Sequence, residues 1–207
     1  GGGAPLFSIS RGKRQEREAV CIMNTSFSMV CAGAVVLTIV GIVFAKPILV
    51  LFGASDNALS YAYPYMTIFM LGTLPSMIST GMNPFINAQG FGNMGMLTVL
   101  IGAVLNIVLD PLFIFVLHMG VKGAALATII SQMCSGIWVL RFLTGKKAIL
   151  HLKKEAMKLQ WKRVKAILSL GVSAFVMQFT NSLVQIFCNS TLQVWGGDIY
   201  VGVMTVL

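Results

Sequence analysis

An apolar run at residues 94–117 is long enough to cross a bilayer as a helix, which takes about 20 predominantly apolar residues. It contains Asp110, the only acidic side chain in any candidate membrane span of the sequence. A carboxylate at the centre of a spanning helix costs about 2.5–3.5 kcal/mol on insertion scales, so such acids mark functional sites by default. Asp110 is therefore the leading candidate for a functional residue. The alternative is a structural role, in which its carboxyl group hydrogen-bonds a neighbouring helix.

Two residues close to Asp110 in the sequence extend this candidate site. Asn106 lies four residues earlier and hence on the same helical face, so its amide is predicted to hydrogen-bond the carboxyl group. Pro111 has no N–H and cannot bond the carbonyl of Ile107, which predicts a kink and a free carbonyl oxygen nearby. Two polar side chains and a loosened backbone are therefore expected at one place.

The composition excludes an ordinary soluble domain. Of the 207 residues, 57% are hydrophobic and only 10% are charged, whereas soluble domains carry about 25% charged residues. Several apolar runs reach the length of a spanning helix, while a membrane β-barrel would show short segments of alternating polarity. The sequence predicts an all-α integral membrane protein, a polytopic helical bundle that contacts the lipid bilayer.

The apolar runs and their breaks predict the order of helices. Residues 1–10 are expected to end a preceding helix. Five spans follow, at residues 20–44, 63–86, 94–117, 123–143 and 166–195, and a sixth begins at Tyr200. The second is expected to bend, because it contains Pro64, Pro75 and Pro84. Short connections are predicted at residues 46–57, 87–93 and 196–198.

Both ends of the sequence lie inside or beside apolar runs, and there is no initiator Met. We therefore expect a fragment of a longer chain.

The net charge of +9 is explained by membrane topology. Alternating the loops between the two sides places 13 of the 15 Lys and Arg residues on one side and only Lys46 and Lys122 on the other. By the positive-inside rule, the loops at residues 11–17 and 141–165 are cytoplasmic. The basic residues flank apolar spans and form no folded basic face with stacking aromatics, so nucleic acid is not an expected partner.

The sequence shows no sign of a bound metal or a disulfide framework. The four cysteines fall within or at the ends of spans without CxxC pairing, and the two histidines lack ligand partners at useful spacing. We expect no cofactor. The one long polar stretch, residues 145–165, has Leu, Met and Trp at helical spacing among its Lys and Arg residues. This pattern fits an amphipathic interfacial linker or a solvated loop.

Polar side chains recur at helical spacing on three of the predicted spans. Those of the second span are Ser76, Thr80 and Asn83, continuing to Asn87; those of the fifth are Gln178, Ser182, Gln185 and Asn189; those of the fourth are Thr128 and Gln132. One such face could serve helix packing. Three together favour a shared water-accessible cavity, because polar groups avoid lipid. The 13 methionines would give it adaptable walls suited to varied apolar ligands.

The chain resembles a known transporter family in the order of its motifs. These are a basic loop, a Lys-Pro connector, a Pro-rich span ending in Asn-Ala-Gln-Gly, the run Asn-Ile-Val-Leu-Asp-Pro-Leu-Phe-Ile-Phe that starts at Asn106, and Gly-Val-Lys-Gly-Ala-Ala-Leu-Ala-Thr that ends at Thr128. The order is similar to that of the multidrug and toxic compound extrusion (MATE) family of efflux transporters, and the likeness covers nearly the whole chain.

The resemblance implies twelve helices in two six-helix lobes. Residues 1–143 would then be most of the N-lobe, residues 144–165 a cytoplasmic basic linker between lobes, and residues 166–207 the start of the C-lobe. In one branch of the family, an N-lobe cation site uses an Asp of the first helix, an Asn-x-x-x-Asp pair and a Thr of the next helix. By resemblance the last three are Asn106, Asp110 and Thr128, and the first-helix Asp lies upstream of Gly1.

Three functions are weighed. The leading hypothesis is a secondary antiporter of the cell membrane that exports organic cations or other amphipathic small molecules in exchange for H⁺ or Na⁺. A lipid-linked oligosaccharide flippase of the same superfamily would want Arg or Lys inside its cavity, and the spans contain only Arg141, near an end. A membrane-embedded enzyme would need a nucleophile, base or metal constellation, and none accompanies Asp110.

Overall fold

The computed structural model describes residues 2–51, 56–152 and 160–206, and every regular element among them is a helix. The helices, in chain order, are α1 (Gly3–Gly12), α2 (Glu16–Val43), α3 (Ala45–Leu51), α4 (Asp56–Leu71), α5 (Thr73–Ala88), α6 (Gly92–Pro111), a π-helix (Leu112–Val116), α7 (Val121–Thr144) and α8 (Trp161–Val206). The predicted all-α class is confirmed, and residues 3–10 lie in α1; that they end a preceding helix stays a prediction.

Four stretches are long and apolar enough to cross a membrane: Glu16–Val43, Gly92–Val116, Val121–Thr144 and Trp161–Gln185. They correspond to the first, third, fourth and fifth predicted spans. The outward face of α6 is apolar, with Val99, Val104, Ile107 and Val108 all at least half exposed. Such a surface is suited to lipid and would be costly in water. The chain is a multi-pass membrane protein.

The second predicted span is divided into α4 and α5. The break falls at Gly72, whose N–H donates to the carbonyl of Phe69 at 2.9 Å, a tighter turn than an α-helix makes. Pro75, three residues later, cannot donate to the carbonyl of Leu71, so the helix loses a bond at this point. The prediction of a bent span is confirmed, and the two 16-residue halves lie either side of the break.

Turns with left-handed backbone separate the next helices. Gly90 has φ +92° in the predicted turn between α5 and α6, a conformation that glycine adopts without steric cost. After Pro111 the hydrogen bonding changes from α to π over Leu112–Val116, and the helix then ends. Pro111 thus alters the helix as predicted, by a change of helical type.

One predicted connection contains a short helix, and another is wrong. The connector at residues 46–57 contains a short helix, α3, whose second and third residues are Lys46 and Pro47; proline is tolerated in the first turn of a helix. The turn predicted at residues 196–198, and with it a separate sixth span, is absent, since α8 continues unbroken to Val206. The two glycines there lower helix propensity by about 1 kcal/mol each without removing a backbone donor, which only proline does.

The buried core lies where α1, α2, α5 and the end of α7 meet. Phe7, Met23, Met82, Ile86 and Leu143 are all completely buried. Phe7 also packs edge-on against Phe85, with ring centroids 5.4 Å apart. The start of α8 joins this core through Ile167, and Arg163 forms a two-pronged ion pair with Glu18 of α2 at 2.7 and 2.9 Å.

The segment after α7, residues 145–152, is a folded loop that packs on the core. Gln89, only 2% exposed, accepts the N–H groups of Ile149 and Leu150 at 3.0 Å each through Oε1 and donates to the carbonyl of Leu150 at 3.3 Å. Residues 145–152 are thus neither an amphipathic helix at the interface nor a solvated loop. Their backbone groups bond the buried amide of Gln89 and do not form the bonds of a helix. Residues 153–159 lie outside the described residues, and α8 begins at Trp161, five residues before the predicted span.

Candidate functional site

A polar cavity of about 410 Å³ lies between α5, α6 and α7. Its polar lining residues share short neutral side chains: Ser79, Thr80, Asn83, Thr98, Asn106, Thr128, Ser131, Gln132 and Ser135. No charged residue lines it within the part of the chain that the structure describes. A cavity of this kind inside a membrane protein can hold water, a proton or a small cation, because its lining offers many oxygen atoms as ligands.

Asn106 and Thr128 meet on one side of this cavity. The Asn106 Nδ2 donates to Thr128 Oγ1 at 3.3 Å, and Thr128 donates its own proton to the carbonyl of Ala124 at 3.0 Å. The hydroxyl proton is thereby committed to the backbone of α7, which leaves the oxygen as an acceptor. Two of the three residues predicted for a cation site are therefore in contact across the α6–α7 interface.

Asp110 has different surroundings from those predicted. The expected hydrogen bond from Asn106 is absent because the Asn106 amide donates to Thr128 instead. The Asp110 Oδ1 is buried and has no hydrogen-bond partner among the described residues. Asp110 lies one turn after Asn106 and is not among the lining residues of the polar cavity. The Asp110 carboxyl group thus has one unsatisfied acceptor, which a proton or a cation would satisfy.

The predicted polar face of α5 contributes to the cavity in part. Thr80 and Asn83 line it, whereas Ser76 does not. The Asn83 Nδ2 donates to the carbonyl of Gly95 at 3.1 Å, and its Oδ1 is buried without a partner in the described chain. The side-chain oxygen of Asn83 is thus a second unpartnered acceptor near the same interface.

Sequence reasoning missed four lining residues, Ser79, Thr98, Ser131 and Ser135. A signal for two of them exists, since Thr128, Ser131, Gln132 and Ser135 follow the i, i+3, i+4, i+7 spacing of one helical face. The Ser135 hydroxyl donates to the carbonyl of Thr98 at 3.0 Å and so holds α7 against α6. Nothing in the sequence around Thr98 marks it, because that residue is polar but isolated on an apolar helix.

A second cavity, of about 370 Å³, lies on the other side of α5, between α1, α2 and α8. Its lining residues include Met29, Met77, Phe85 and Phe175, together with the glycines at the start of α1. Thr80 and Pro84 line both cavities. Pro84 cannot donate to the carbonyl of Thr80, so this carbonyl lacks its helical bond at the shared position. Methionine walls were predicted for the shared polar cavity, whose described lining contains no methionine; Met29 and Met77 line this apolar cavity instead.

Among the described side chains of α8, no polar one lines either cavity. Gln178, Ser182 and Gln185 are exposed, and the Ser182 hydroxyl donates to the carbonyl of Gln178 within its own helix at 3.0 Å. The side chain of Asn189 lies outside the described residues. That these four residues face a substrate cavity therefore stays a prediction.

Among the described residues there is no group of three or more His, Cys, Asp and Glu side chains that could hold a metal ion. The possible cation ligands near Asp110 are instead one carboxylate, one amide, one hydroxyl and backbone carbonyls. Oxygen donors of this kind suit a hard monovalent cation or a proton and not a transition metal.

Gly123 fixes the distance between α7 and the π-helix that follows Asp110. A Cβ atom at this position would lie 2.9 Å from the carbonyl carbon and oxygen of Phe113, which are backbone atoms and cannot rotate away. We expect Gly123→Ala to lower the stability of the full-length protein by about 1–3 kcal/mol, the usual cost of overpacking. The thermal unfolding midpoint in detergent measures this loss.

Gly92→Ala is the matched control, because a Cβ there meets nothing within 4 Å and Gly92 also lies near the start of a helix. It should leave the midpoint unchanged or raise it slightly, since alanine is the better helix former. Equal midpoints for the two variants would show that the α7 contact does not constrain the π-helix.

Comparison with known proteins identifies the family. The sequence profile named MatE matches residues 2–112, more than half of the chain. The chain belongs to the MatE family.

The relatives include the multidrug export protein MepA of Staphylococcus haemolyticus, 26% identical over 195 residues, which cover 94% of this chain and 43% of the relative. The probable multidrug resistance protein YoeA of Bacillus subtilis is 24% identical over 204 residues, covering 95% of this chain and 44% of that protein.

Solved structures agree with the sequence comparison. A multidrug resistance MATE family transporter of the MOP superfamily, in an inward-facing conformation, superposes with a TM-score of 0.89 at 26% identity over 99% of this chain and 47% of its own. In each of these three matches, the chain spans less than half of the length of the related protein.

Proposed function

We propose that the full-length protein is a secondary antiporter that exports organic cations and other amphipathic small molecules in exchange for H⁺ or Na⁺. Family membership and the multidrug export functions after which the relatives are named support an export role and a transporter rather than an enzyme. The observation that carries the proposal is the contact between Asn106 and Thr128 next to the unpartnered carboxylate oxygen of Asp110. No cofactor is needed beyond the coupling ion.

The coupling ion would bind at the α6–α7 interface. A buried acceptor without a partner costs about 1–3 kcal/mol, more when it is charged, so protonation of Asp110 or Na⁺ binding would relieve this cost. The Asn106 and Thr128 oxygens and the carbonyl of Ile107, which Pro111 cannot bond, are available ligands. The first-helix Asp that the family resemblance implies, upstream of Gly1 in the full-length protein, would complete the site.

The substrate would bind in the second cavity, on the α8 side of α5, and the predicted polar face of α8 would extend this site in the full-length protein. Methionine and phenylalanine side chains there adapt to apolar ligands of varied shape. Thr80 and Pro84 line both this cavity and the polar one. A change in the hydration or ion content of the polar cavity would therefore alter residues that also line the substrate cavity. The shared α5 segment is therefore our proposed connection between the ion and the substrate.

A flippase for phosphate-bearing lipids receives less support. Neither of the two cavities has a Lys or Arg among its described lining residues. A buried phosphate without a cationic partner would carry a large desolvation cost.

The domain organisation follows the same proposal. Residues 1–143 would form most of the N-lobe, residues 144–165 the cytoplasmic linker and residues 166–207 the start of the C-lobe, in the cell membrane. The continuous packing of α1, α2, α5 and α7 supports the first of these units, and the exposed length of α8 suits the start of another.

The direct test is efflux from vesicles that contain the reconstituted full-length protein and a fluorescent lipophilic cation. An inwardly directed H⁺ or Na⁺ gradient should drive the cation outward in an exchange that stops when the gradient is collapsed by an ionophore. Export that needs ATP and ignores both gradients would refute antiport.

Gln185→Leu tests whether the polar face of α8 contacts the substrate. We expect the relative rates for different exported cations to change by about tenfold for some compounds, as when a hydrogen bond of about 1.4 kcal/mol is lost, while the amount of folded protein stays constant. The measurement is a panel of efflux rates together with the monodisperse yield.

Thr180→Val is the matched control for Gln185→Leu, because Thr180 lies on the opposite side of α8 and its hydroxyl bonds only its own helix, at the carbonyl of Val176. Its substrate profile should match that of the parent. If Gln185→Leu loses yield and keeps its selectivity, the polar face serves helix packing.

A further inference from the structure

A cavity of about 570 Å³, separate from the two already described, opens where α7 ends and the loop at residues 145–152 begins. Three of its lining residues are basic, Arg141, Lys146 and Lys147, and its apolar part includes Trp138 and Phe142. No acidic side chain belongs to this lining among the described residues. The cavity therefore combines a strongly positive rim with an apolar interior.

The two lysines are held in place by the folded loop. Leu150 and Ala148 are 7% and 5% exposed, and Gln89 binds the backbone of residues 149 and 150 from α5. The N–H of Leu152 also donates to the carbonyl of Leu143 at 3.0 Å, which closes the loop on the end of α7. Lys146 and Lys147, both exposed, are thus presented at a fixed position beside Arg141. A preorganised cluster loses less entropy on binding an anion than three charges on a free linker would.

Trp138 forms part of the apolar wall of the same cavity. Its Nε1 is buried, with no partner among the described residues, so this N–H does not face the cavity. Phe142, also in the lining, packs edge-on against Phe91, with centroids 5.2 Å apart. The cavity therefore offers an aromatic surface as well as three cations.

The position of the cavity matches the boundary between membrane and water. The candidate span Val121–Thr144 ends at its edge, and Met94 lies at the start of the neighbouring span Gly92–Val116. Tryptophan and basic residues concentrate at this depth, where acyl chains meet phosphate groups. A ligand that fills both parts of the cavity would be apolar at one end and anionic at the other.

We propose that this cavity binds an anionic phospholipid, with the headgroup phosphate between Arg141, Lys146 and Lys147 and its glycerol and upper acyl region against Trp138 and Phe142. Basic pockets between membrane helices bind such headgroups, and tryptophan rings concentrate at the depth where glycerol and ester groups lie. This site is distinct from the proposed transport cavities, and it holds whether or not the antiport proposal is correct.

The test measures binding of phosphatidylglycerol to the purified full-length protein by native mass spectrometry, with phosphatidylcholine as the neutral reference lipid. Lys146→Gln/Lys147→Gln should weaken phosphatidylglycerol binding by about tenfold or more, as expected for two juxtamembrane charges, and leave phosphatidylcholine binding unchanged. Trp138→Phe keeps an aromatic surface and removes an N–H that does not face the cavity, so it should leave the same binding within about twofold of the parent.

Lys162→Gln/Lys165→Gln is the control. Both lysines are exposed near the start of α8 and neither lines the cavity, so binding should stay within about twofold of the parent, because salt screens charges that lie away from the bound headgroup.

Equal losses for the two double-lysine variants would overturn the proposal and indicate attraction to a diffuse basic surface. Competition by inorganic phosphate as strong as that by phosphatidylglycerol would also overturn it, because the site would then read a free anion.

Discussion

Asp110→Asn should abolish ion-coupled export while leaving the amount of folded full-length protein unchanged. The substitution preserves the size of the side chain, but an amide can neither release a proton at physiological pH nor balance the charge of a bound cation. Because Oδ1 of Asp110 has no partner in the described structure, no existing hydrogen bond is broken. We expect gradient-driven efflux from reconstituted vesicles to fall to the leak rate of vesicles without protein.

Glu16→Gln makes the same chemical change at the exposed start of α2 and serves as the control. It should export at the parental rate. A second test variant is Thr128→Val, which removes the acceptor of the Asn106 bond. It should reduce export partially if Thr128 is an ion ligand. Parental efflux by Asp110→Asn under both H⁺ and Na⁺ gradients would place the coupling group elsewhere and assign Asp110 a structural role.

The membrane helices could be predicted from the sequence because their cause is local. An apolar run of about 20 residues and a proline or glycine break are visible without knowledge of any neighbour. The same reasoning fails at residues 196–198, where two glycines suggest a turn but the backbone stays helical. Glycine permits a turn without requiring one. Proline at position 75 removes a backbone N–H donor, and the helix is broken there.

The candidate site could be predicted only in part. Spacing along one helix placed Asn106 near Asp110, and resemblance added Thr128. Which acceptor Asn106 uses depends on how α7 approaches α6, and that approach is set by small buried residues such as Gly123 and by Ser135. These contacts lie between helices, so spacing within one helix does not reveal them.

Gln89 shows the same limit more clearly. It lies in a Gly- and Asn-rich turn, where a polar residue is unremarkable, and nothing in its neighbourhood predicts that it is 2% exposed. Its partners are backbone groups 60 and 61 residues away. A long-range bond of this kind leaves no periodic signal in the sequence, although it decides that residues 145–152 are a folded loop.

Gln89→Leu should therefore destabilise the full-length protein and release this loop. Leucine has a similar size but cannot accept the N–H groups of Ile149 and Leu150 or donate to the Leu150 carbonyl. Leu150 is only 7% exposed, so water does not readily replace these bonds. We expect a loss of about 2–3 kcal/mol, the usual cost of leaving buried polar groups unpaired, seen as a lower thermal unfolding midpoint in detergent.

A second measurement separates loop release from general destabilisation. Trypsin should cut after Lys146 or Lys147 faster in Gln89→Leu than in the parent at temperatures far below unfolding, because cleavage needs the loop to leave the core. Gln160→Leu makes the same substitution at an exposed position just before α8 and should change neither the midpoint nor the cleavage rate. If Gln89→Leu lowers the midpoint and leaves cleavage at these two lysines unchanged, Gln89 stabilises the core without anchoring the loop.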